Sequence, residues 1–207
     1  DEEIEVKFYG KTQEHWTKDG LKVTYEDYTS IIAEPYDLMI SGYKSEAVNV
    51  LRLWKSKADA GFDMKLFERG EYAKSSESEA IAESISKLLY PADDTNEGKA
   101  LRIKQQYFFT SASLQQIVKN HYKTYGSLDN LADKVAIHIN DTHPSMVIPE
   151  LIRLLTERGL EFDEAVNIVK SMTAYTNHTI LAEALEKWPL EFLEEVVPHL
   201  VPIIKEL

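Results

Sequence analysis

Two short stretches of the chain concentrate hydrogen-bonding side chains. Asn140, Asp141, Thr142 and His143 follow one another directly before Pro144, and Thr176, Asn177, His178 and Thr179 form a second cluster. Asn, Asp and His accept hydrogen bonds, and Asn, Thr and neutral His also donate them. Such a set suits a neutral, hydroxyl-rich ligand better than a phosphate, which calls for Arg, Lys or backbone amides. A plainer reading stays open: Asp or Thr beside Pro, ahead of an apolar helix, is a common helix entrance. For His178 the plainer reading is a satisfied structural histidine. Glu183, five residues further on, offers a carboxylate to the same place, and by itself it also reads as a solvated helix charge.

Other chemistries fit less well. His138, Asp141, His143 and His178 could be gathered round a metal, but His138 and His143 do not have the i, i+4 spacing of helical zinc ligands. Eight glycines never form a G-x-G-x-x-G or P-loop pattern, so the chain carries no glycine-rich phosphate cradle. There is no G-x-S-x-G nucleophile elbow. Asp93 and Asp94 are adjacent acids in a polar loop, a weak basis for the two opposed carboxylates of a glycosidase.

The elements around the clusters decide where they stand. Val135, Ile137 and Ile139 alternate in a short apolar strand that runs into Asn140. Ile148, Leu151, Ile152 and Leu155 then mark a helix face, with Pro149 near its start and Gly159 beyond its end. A second helix is expected over residues 163–172, followed by a strand at 173–175 that runs into the second cluster. Strand, polar loop, helices, strand, polar loop is the order of a parallel α/β sheet. In such sheets ligands gather beyond the carboxyl ends of the strands, where both clusters fall. Helical segments are expected around 188–197 and at the carboxyl terminus.

Upstream the pattern changes twice. Residues 1–60 read as strand-rich, with alternation over 4–8 and 21–25 and apolar runs at 31–33 and 48–54. Gly10, Pro35 and the Ser41-Gly42 pair punctuate that section. Residues 61–130 read as helical: a short helix over 62–69 and an amphipathic one over 75–90 with Ile81, Ile85, Leu88 and Leu89 on one face. After the polar loop 91–98 comes a long helix over 99–125, apolar on several sides and ended by Gly126. Residues 131–207 form the third section, in which strands alternate with helices.

The 207 residues carry 35 acidic and 23 basic side chains, a formal charge of −12. That charge disfavours nucleic acid and anionic membrane as partners and is compatible with carbohydrate. Without cysteine the chain has no disulfide framework and no thiolate metal site. No run approaches the roughly 20 apolar residues that span a bilayer. The start, Asp1-Glu2-Glu3, has neither the features of a secretory signal nor an initiator Met, so it reads as the start of a cut product.

These residues together carry a resemblance. Residues 135–151 (VAIHINDTHPSMVIPEL) and 174–189 (AYTNHTILAEALEKWP) resemble the NDTHP and YTNHT segments of the glycogen, starch and maltodextrin phosphorylases. Residues 35–37 (PYD), 42–43 (GY), 49–54 (NVLRLW), 85–91 (ISKLLYP) and 97–108 (EGKALRIKQQYF) match the same family in the same order. The resemblance implies an α/β fold: a portion of the amino-terminal, Rossmann-like domain of a two-domain glycosyltransferase of the GT-B type, with a strand-rich first section. It implies a cytoplasmic enzyme that cleaves the terminal α-1,4 bond of a glucan with inorganic phosphate and releases glucose 1-phosphate. Pyridoxal phosphate is expected in the full-length protein and not on this segment, which is therefore expected to be inactive alone. A non-catalytic carbohydrate-binding domain is the alternative.

By the same resemblance, His178 is the catalytic-site residue, lying against the glucosyl unit. Asp141 and His143 are walls of its pocket, with Asn140, Asn177, Thr179 and Glu183 near the sugar. Asp93 and Asp94 fall in a loop, 91–98, that gates access to the site. Helix 75–90 is similar to one that reaches a partner subunit, which implies a homodimer. In the loop the chain has Thr95 and Asn96 where animal enzymes carry two aromatic residues.

Overall fold

The computed structural model describes residues 2–59, 64–181 and 185–207. Five strands come first: β1 (Ile4–Phe8), β2 (Lys11–Thr17), β3 (Gly20–Glu26), β4 (Thr29–Ser41) and β5 (Val48–Ala58). Strands β1, β4 and β5 form an antiparallel sheet with β4 central, and β2 and β3 form a separate hairpin. In β1 the alternation seen in the sequence is the pleat itself: Ile4, Val6 and Phe8 are buried while Glu5 and Lys7 point away.

Two features of this section depart from the sequence pattern. β2 is a strand although its residues alternate nothing apolar, because nearly all of it is exposed and its pairing with β3 fixes it. β4 also runs straight through Pro35, a residue whose type predicts an interruption. Pairing with β1 ends at Ala33, so Pro35 faces a neighbour on one side only, opposite Trp54. A missing N–H costs least at such a position. The turn after Ser41 is where Gly42 predicts it, closed by the Gly42 N–H donating to the Ala47 carbonyl at 2.8 Å.

The helices follow: α1 (Met64–Glu68), α2 (Tyr72–Ser75), α3 (Glu77–Lys87), α4 (Asn96–Tyr125) and α5 (Leu131–Lys134). The expected stripe on residues 75–90 is only partly right. Leu88 already has extended backbone and, like Leu89, is exposed, and Ile81 is 53% exposed. The face that packs on β5 is Ala82 and Ile85, with Ser56 donating to the Ala82 carbonyl at 2.7 Å. Small residues there let helix and strand approach closely.

α4 is the spine. Its start is capped by Thr95, whose hydroxyl oxygen accepts from the Gly98 N–H at 3.1 Å, and its end by Gly126 in the left-handed region. Ile103, Tyr107, Phe108 and Ala112 join a core with β1, β4 and β5; Leu114 and Val118 join a second core. One helix buried on several sides thus connects both.

The remaining elements are β6 (Ile137–Asn140), α6 (Val147–Glu157), α7 (Phe162–Met172), β7 (Thr173–Thr176), α8 (Leu190–Val196), a tight turn at Pro198–Leu200 and α9 (Val201–Glu206). β6 and β7 pair in parallel, joined through α6 and α7. α6 buries Leu151, Ile152 and Leu155 as expected, together with Val147 and Leu154, whereas Ile148 lies on the exposed side. The molecule is therefore a mixed α/β fold with antiparallel and parallel pairs. Among the described residues no helix is long and apolar enough to cross a membrane.

Beside the second core lies a feature that the hydrophobic pattern conceals. Glu150 on α6 has no exposed surface and accepts from Ser111 at 2.6 Å, from Tyr107 at 3.2 Å and from two nitrogens of Arg153. His199 meets the Tyr107 hydroxyl at 2.6 Å and stacks on Tyr25 with ring centroids 4.3 Å apart. This network ties α4, α6, β3 and the Pro198–Leu200 turn together.

Candidate functional site

The two polar clusters leave neighbouring strands at the same level. Asn140 is in register with Thr176, and the Asp141 N–H donates to the Thr176 carbonyl at 2.8 Å, one step beyond the paired strands. Asp141 then turns the chain with φ of 65°, a left-handed conformation that Asp tolerates better than most residues. That turn sets its carboxylate between the clusters. Oδ1 accepts from the Thr142 N–H at 2.7 Å, and Oδ2 accepts from the Thr179 hydroxyl at 3.3 Å. Asp141 is thus the stitch between the clusters.

The second cluster is braced from within. Asn177 accepts from the Thr179 N–H and donates to the Thr179 carbonyl, both at 2.9 Å, so its side chain closes its own turn. His178 sits exposed at the tip of that turn.

His143 stands where the first cluster meets α4, and it lines two adjoining spaces. One is a mostly apolar cavity of about 260 Å³, walled by Tyr90, Gln105, Phe109, Thr110 and Pro144, with Asn140 at its edge. The other is a more polar groove of about 690 Å³ that includes Asp93, Lys99, Arg102, Thr179, Glu186 and Trp188. Thr179 and His143 therefore share a groove, which Asp93 also lines. His178 lines neither space, and Asp94 is exposed without lining either. Glu183 lies outside the described residues.

A carboxylate does reach the groove, and it belongs to Glu186. Its side chain is 12% exposed and accepts from Arg102 at 2.8 Å and from Gln106, whose amide nitrogen is 3.0 Å from each oxygen. His143 Nδ1 lies 3.2 Å from Glu186 Oε2. Arg102 also reaches Asp93 at 3.0 Å, which connects the 91–98 loop to the groove wall. Tyr90, another left-handed residue, sets its ring edge-on to His143 at 5.7 Å, and Arg102 lies 5.9 Å from the same ring. Sequence pattern alone does not mark Arg102, Gln106 and Glu186 as site residues. Each falls within a family-like segment, but nothing in their local spacing separates them from solvated polar side chains.

The chemistry available follows from these groups. A carboxylate, an amide, a hydroxyl and an imidazole face half-open space beside aromatic and apolar walls, a surface suited to a neutral polyol. It is a poor phosphate seat, because the charge of Arg102 is already matched by Asp93 and Glu186. The donor set therefore does not fit the phosphate of a pyridoxal cofactor. Among the described residues no group of three or more His, Asp or Glu side chains is arranged to hold a metal ion.

Comparison with known proteins agrees with this picture. The family model described as carbohydrate phosphorylase matches residues 1–207. The maltodextrin phosphorylase of Streptococcus pneumoniae is 48% identical over 199 residues, which covers 95% of this chain and 26% of that protein. The glycogen phosphorylase of Chlamydia pneumoniae is 42% identical over 204 residues, covering 98% of this chain and 25% of that protein. The muscle form of glycogen phosphorylase from Mus musculus is 42% identical over 213 residues, covering 99% and 25%. The chain spans about a quarter of the length of these curated relatives. With a family match along its whole length and the two polar turns of that family side by side, the chain belongs to the carbohydrate phosphorylases.

Proposed function

We propose that this segment supplies the glucan-facing wall of an α-1,4-glucan phosphorylase, which transfers a terminal glucosyl unit to inorganic phosphate as glucose 1-phosphate. The observation that carries the reading is the junction at Asp141, which binds both polar turns into one surface beside the groove of His143 and Thr179. The glucan would meet Asn140, Asp141, His143 and Thr179 there, with His178 against the reacting sugar from the tip of its turn. Asp93, paired with Arg102, supports a gating role for loop 91–98, with Asp94 beside it.

The phosphate-handling half of the reaction belongs to polypeptide outside this segment. The same holds for pyridoxal phosphate, which supplies proton transfer through its own phosphate when bound. The parallel β6–β7 pair with its helices supports reading the chain as part of a Rossmann-like amino-terminal domain of the GT-B type. Within it the chain divides into three sections: residues 1–60, rich in strands; residues 61–130, helical; and residues 131–207, which face the sugar. A homodimer contact through residues 75–90 is supported by Ile81, Leu88 and Leu89, apolar residues turned to solvent. A cytoplasmic setting belongs to the same reading.

The test is an assay of the full-length protein for glucose 1-phosphate release from maltodextrin and phosphate, with His178→Ala beside wild type. The variant is expected to lose about 1–3 kcal/mol in kcat/KM, the scale of an unpaired polar contact. The 207-residue chain alone is expected to release none and to show no pyridoxal absorbance. An unchanged kcat/KM removes His178 from the site, and a full-length protein without phosphorolysis but with glucan binding favours a non-catalytic carbohydrate-binding domain.

A further inference from the structure

We propose that Glu186 is a positioning residue, which holds His143 as its Nδ1–H tautomer and so presents Nε2 as a hydrogen-bond acceptor for a sugar hydroxyl. The role toward sugar rests on the phosphorylase reading; the tautomer does not.

Neutral imidazole has one N–H donor and one bare acceptor nitrogen, and a neighbouring carboxylate decides which is which. His143 Nδ1 is buried, and Glu186 Oε2 lies 3.2 Å from it. A bare Nδ1 at that distance would set two lone pairs against each other, so the proton belongs on Nδ1. The contact is close enough for a hydrogen bond but is not aligned as one. Glu186 itself is not free to swing away. Arg102 holds Oε1, and the Gln106 amide spans both oxygens. The Tyr90 ring, packed at 77° to the imidazole, limits its rotation from the other side.

Arrangements of this kind, in which a carboxylate orients a histidine that works through its other nitrogen, recur wherever imidazole must act as a fixed acceptor. Here the carboxylate is itself fixed by a cation, and that cation is shared with Asp93 of the loop. The orientation of His143 is therefore built from α4 and from the segment after β7, elements brought together only by the fold.

The experiment is long-range ¹H–¹⁵N NMR of the full-length protein with ¹⁵N-labelled histidine, at about pH 8. His143 is assigned by its loss in His143→Asn. The expected result is a protonated-type shift at Nδ1 and a bare-type shift at Nε2. Glu186→Gln, which still offers an oxygen to Nδ1, keeps the pattern, and Glu186→Ala moves it to a mixture of tautomers. Nε2–H in wild type, or an Ala variant identical to wild type, overturns the proposal, and the wild-type spectrum decides alone if the Ala variant fails to fold. In the full-length protein maltodextrin is expected to shift Nε2. A correct tautomer with an Nε2 signal indifferent to maltodextrin overturns the sugar role alone, while glucose 1-phosphate release reports separately on the phosphorylase reading.

Discussion

Arg153 grips Glu150 with two nitrogens, Nε on Oε2 at 2.7 Å and Nη2 on Oε1 at 2.8 Å, at a point where Glu150 has no exposed surface. Burial works against the Arg153 charge, but Glu150, with Tyr107 and Glu157 beside it, outweighs burial and holds the guanidinium well above its ordinary range. Removing Glu150 leaves the buried Arg153 guanidinium to the half-exposed Glu157 and takes away the acceptor of Ser111 and Tyr107. Glu150→Ala is therefore expected to lose about 3–5 kcal/mol of folding stability. The double replacement Glu150→Leu with Arg153→Met should recover much of that, since apolar groups of similar volume lose no solvation on burial. Urea denaturation of both variants beside wild type checks this, and a Glu150→Ala protein as stable as wild type refutes it.

His199 makes a prediction about acid. Its burial, with Arg153 and Lys7 nearby, pushes its folded-state pKa well below the ordinary 6.5. Below that value the unfolded chain takes up a proton that the folded chain refuses, so the unfolded state binds more protons. Stability then rises with pH, and it falls as pH drops below about 6.5 by up to roughly 1.4 kcal/mol per pH unit. His199→Phe removes that proton uptake. Between about pH 6.5 and 5, where most carboxylates are still charged, the variant should show a flatter stability profile than wild type in parallel urea titrations. Equal slopes would mean that His199 is protonated in both states.

Much of this is legible in the sequence where a local pattern has a local cause. β1 announces itself by alternation, α4 ends at Gly126, and both polar turns stand out because each follows an apolar strand. β2 is not legible, since a ribbon exposed on both faces needs no apolar alternation. Glu150 is hidden because a glutamate in a helix reads as solvated, and its partner Tyr107 is 43 residues away. Glu186 is overshadowed by Glu183 for a similar reason: Gln106, which marks it as a site residue, lies 80 residues back along the chain.

The far end of the β4–β5 ribbon carries a liability. Leu38 pairs with Leu51 and Tyr36 with Leu53, and all four are exposed by 45–56%, with Ile40 next to them on the same face. A contiguous apolar face on a ribbon left uncovered among the described residues is a site for association. Leu38→Lys together with Leu51→Lys is expected to reduce self-association of the chain, measured by sedimentation velocity across a concentration series. The fold should persist, because neither side chain reaches the two cores. Unchanged sedimentation would mean that this face takes no part in association.

Gly98 sets the position of the gate-like loop through a contact, not through its backbone angles. A Cβ built on it would stand 1.8 Å from the Ala92 carbonyl oxygen and 3.2 Å from the Thr95 hydroxyl. Two effects oppose each other in Gly98→Ala. Replacing glycine within a helix favours the helix by about 1 kcal/mol. The clash is with a backbone atom, which cannot rotate aside as a side chain could, so the loop must move. The clash should win, displacing residues 92–95 and breaking the Asp93–Arg102 pair, while Glu186 keeps its bonds to Arg102 and Gln106. Hydrogen exchange should then speed up over residues 91–97 and stay unchanged in β6 and β7. Gly126→Ala is the control: nothing lies within 4 Å of its Cβ, but its φ of 71° is left-handed, so its cost is conformational and local to the end of α4. If Gly98→Ala left loop exchange untouched, close packing against Ala92 would not be what holds Asp93 against Arg102.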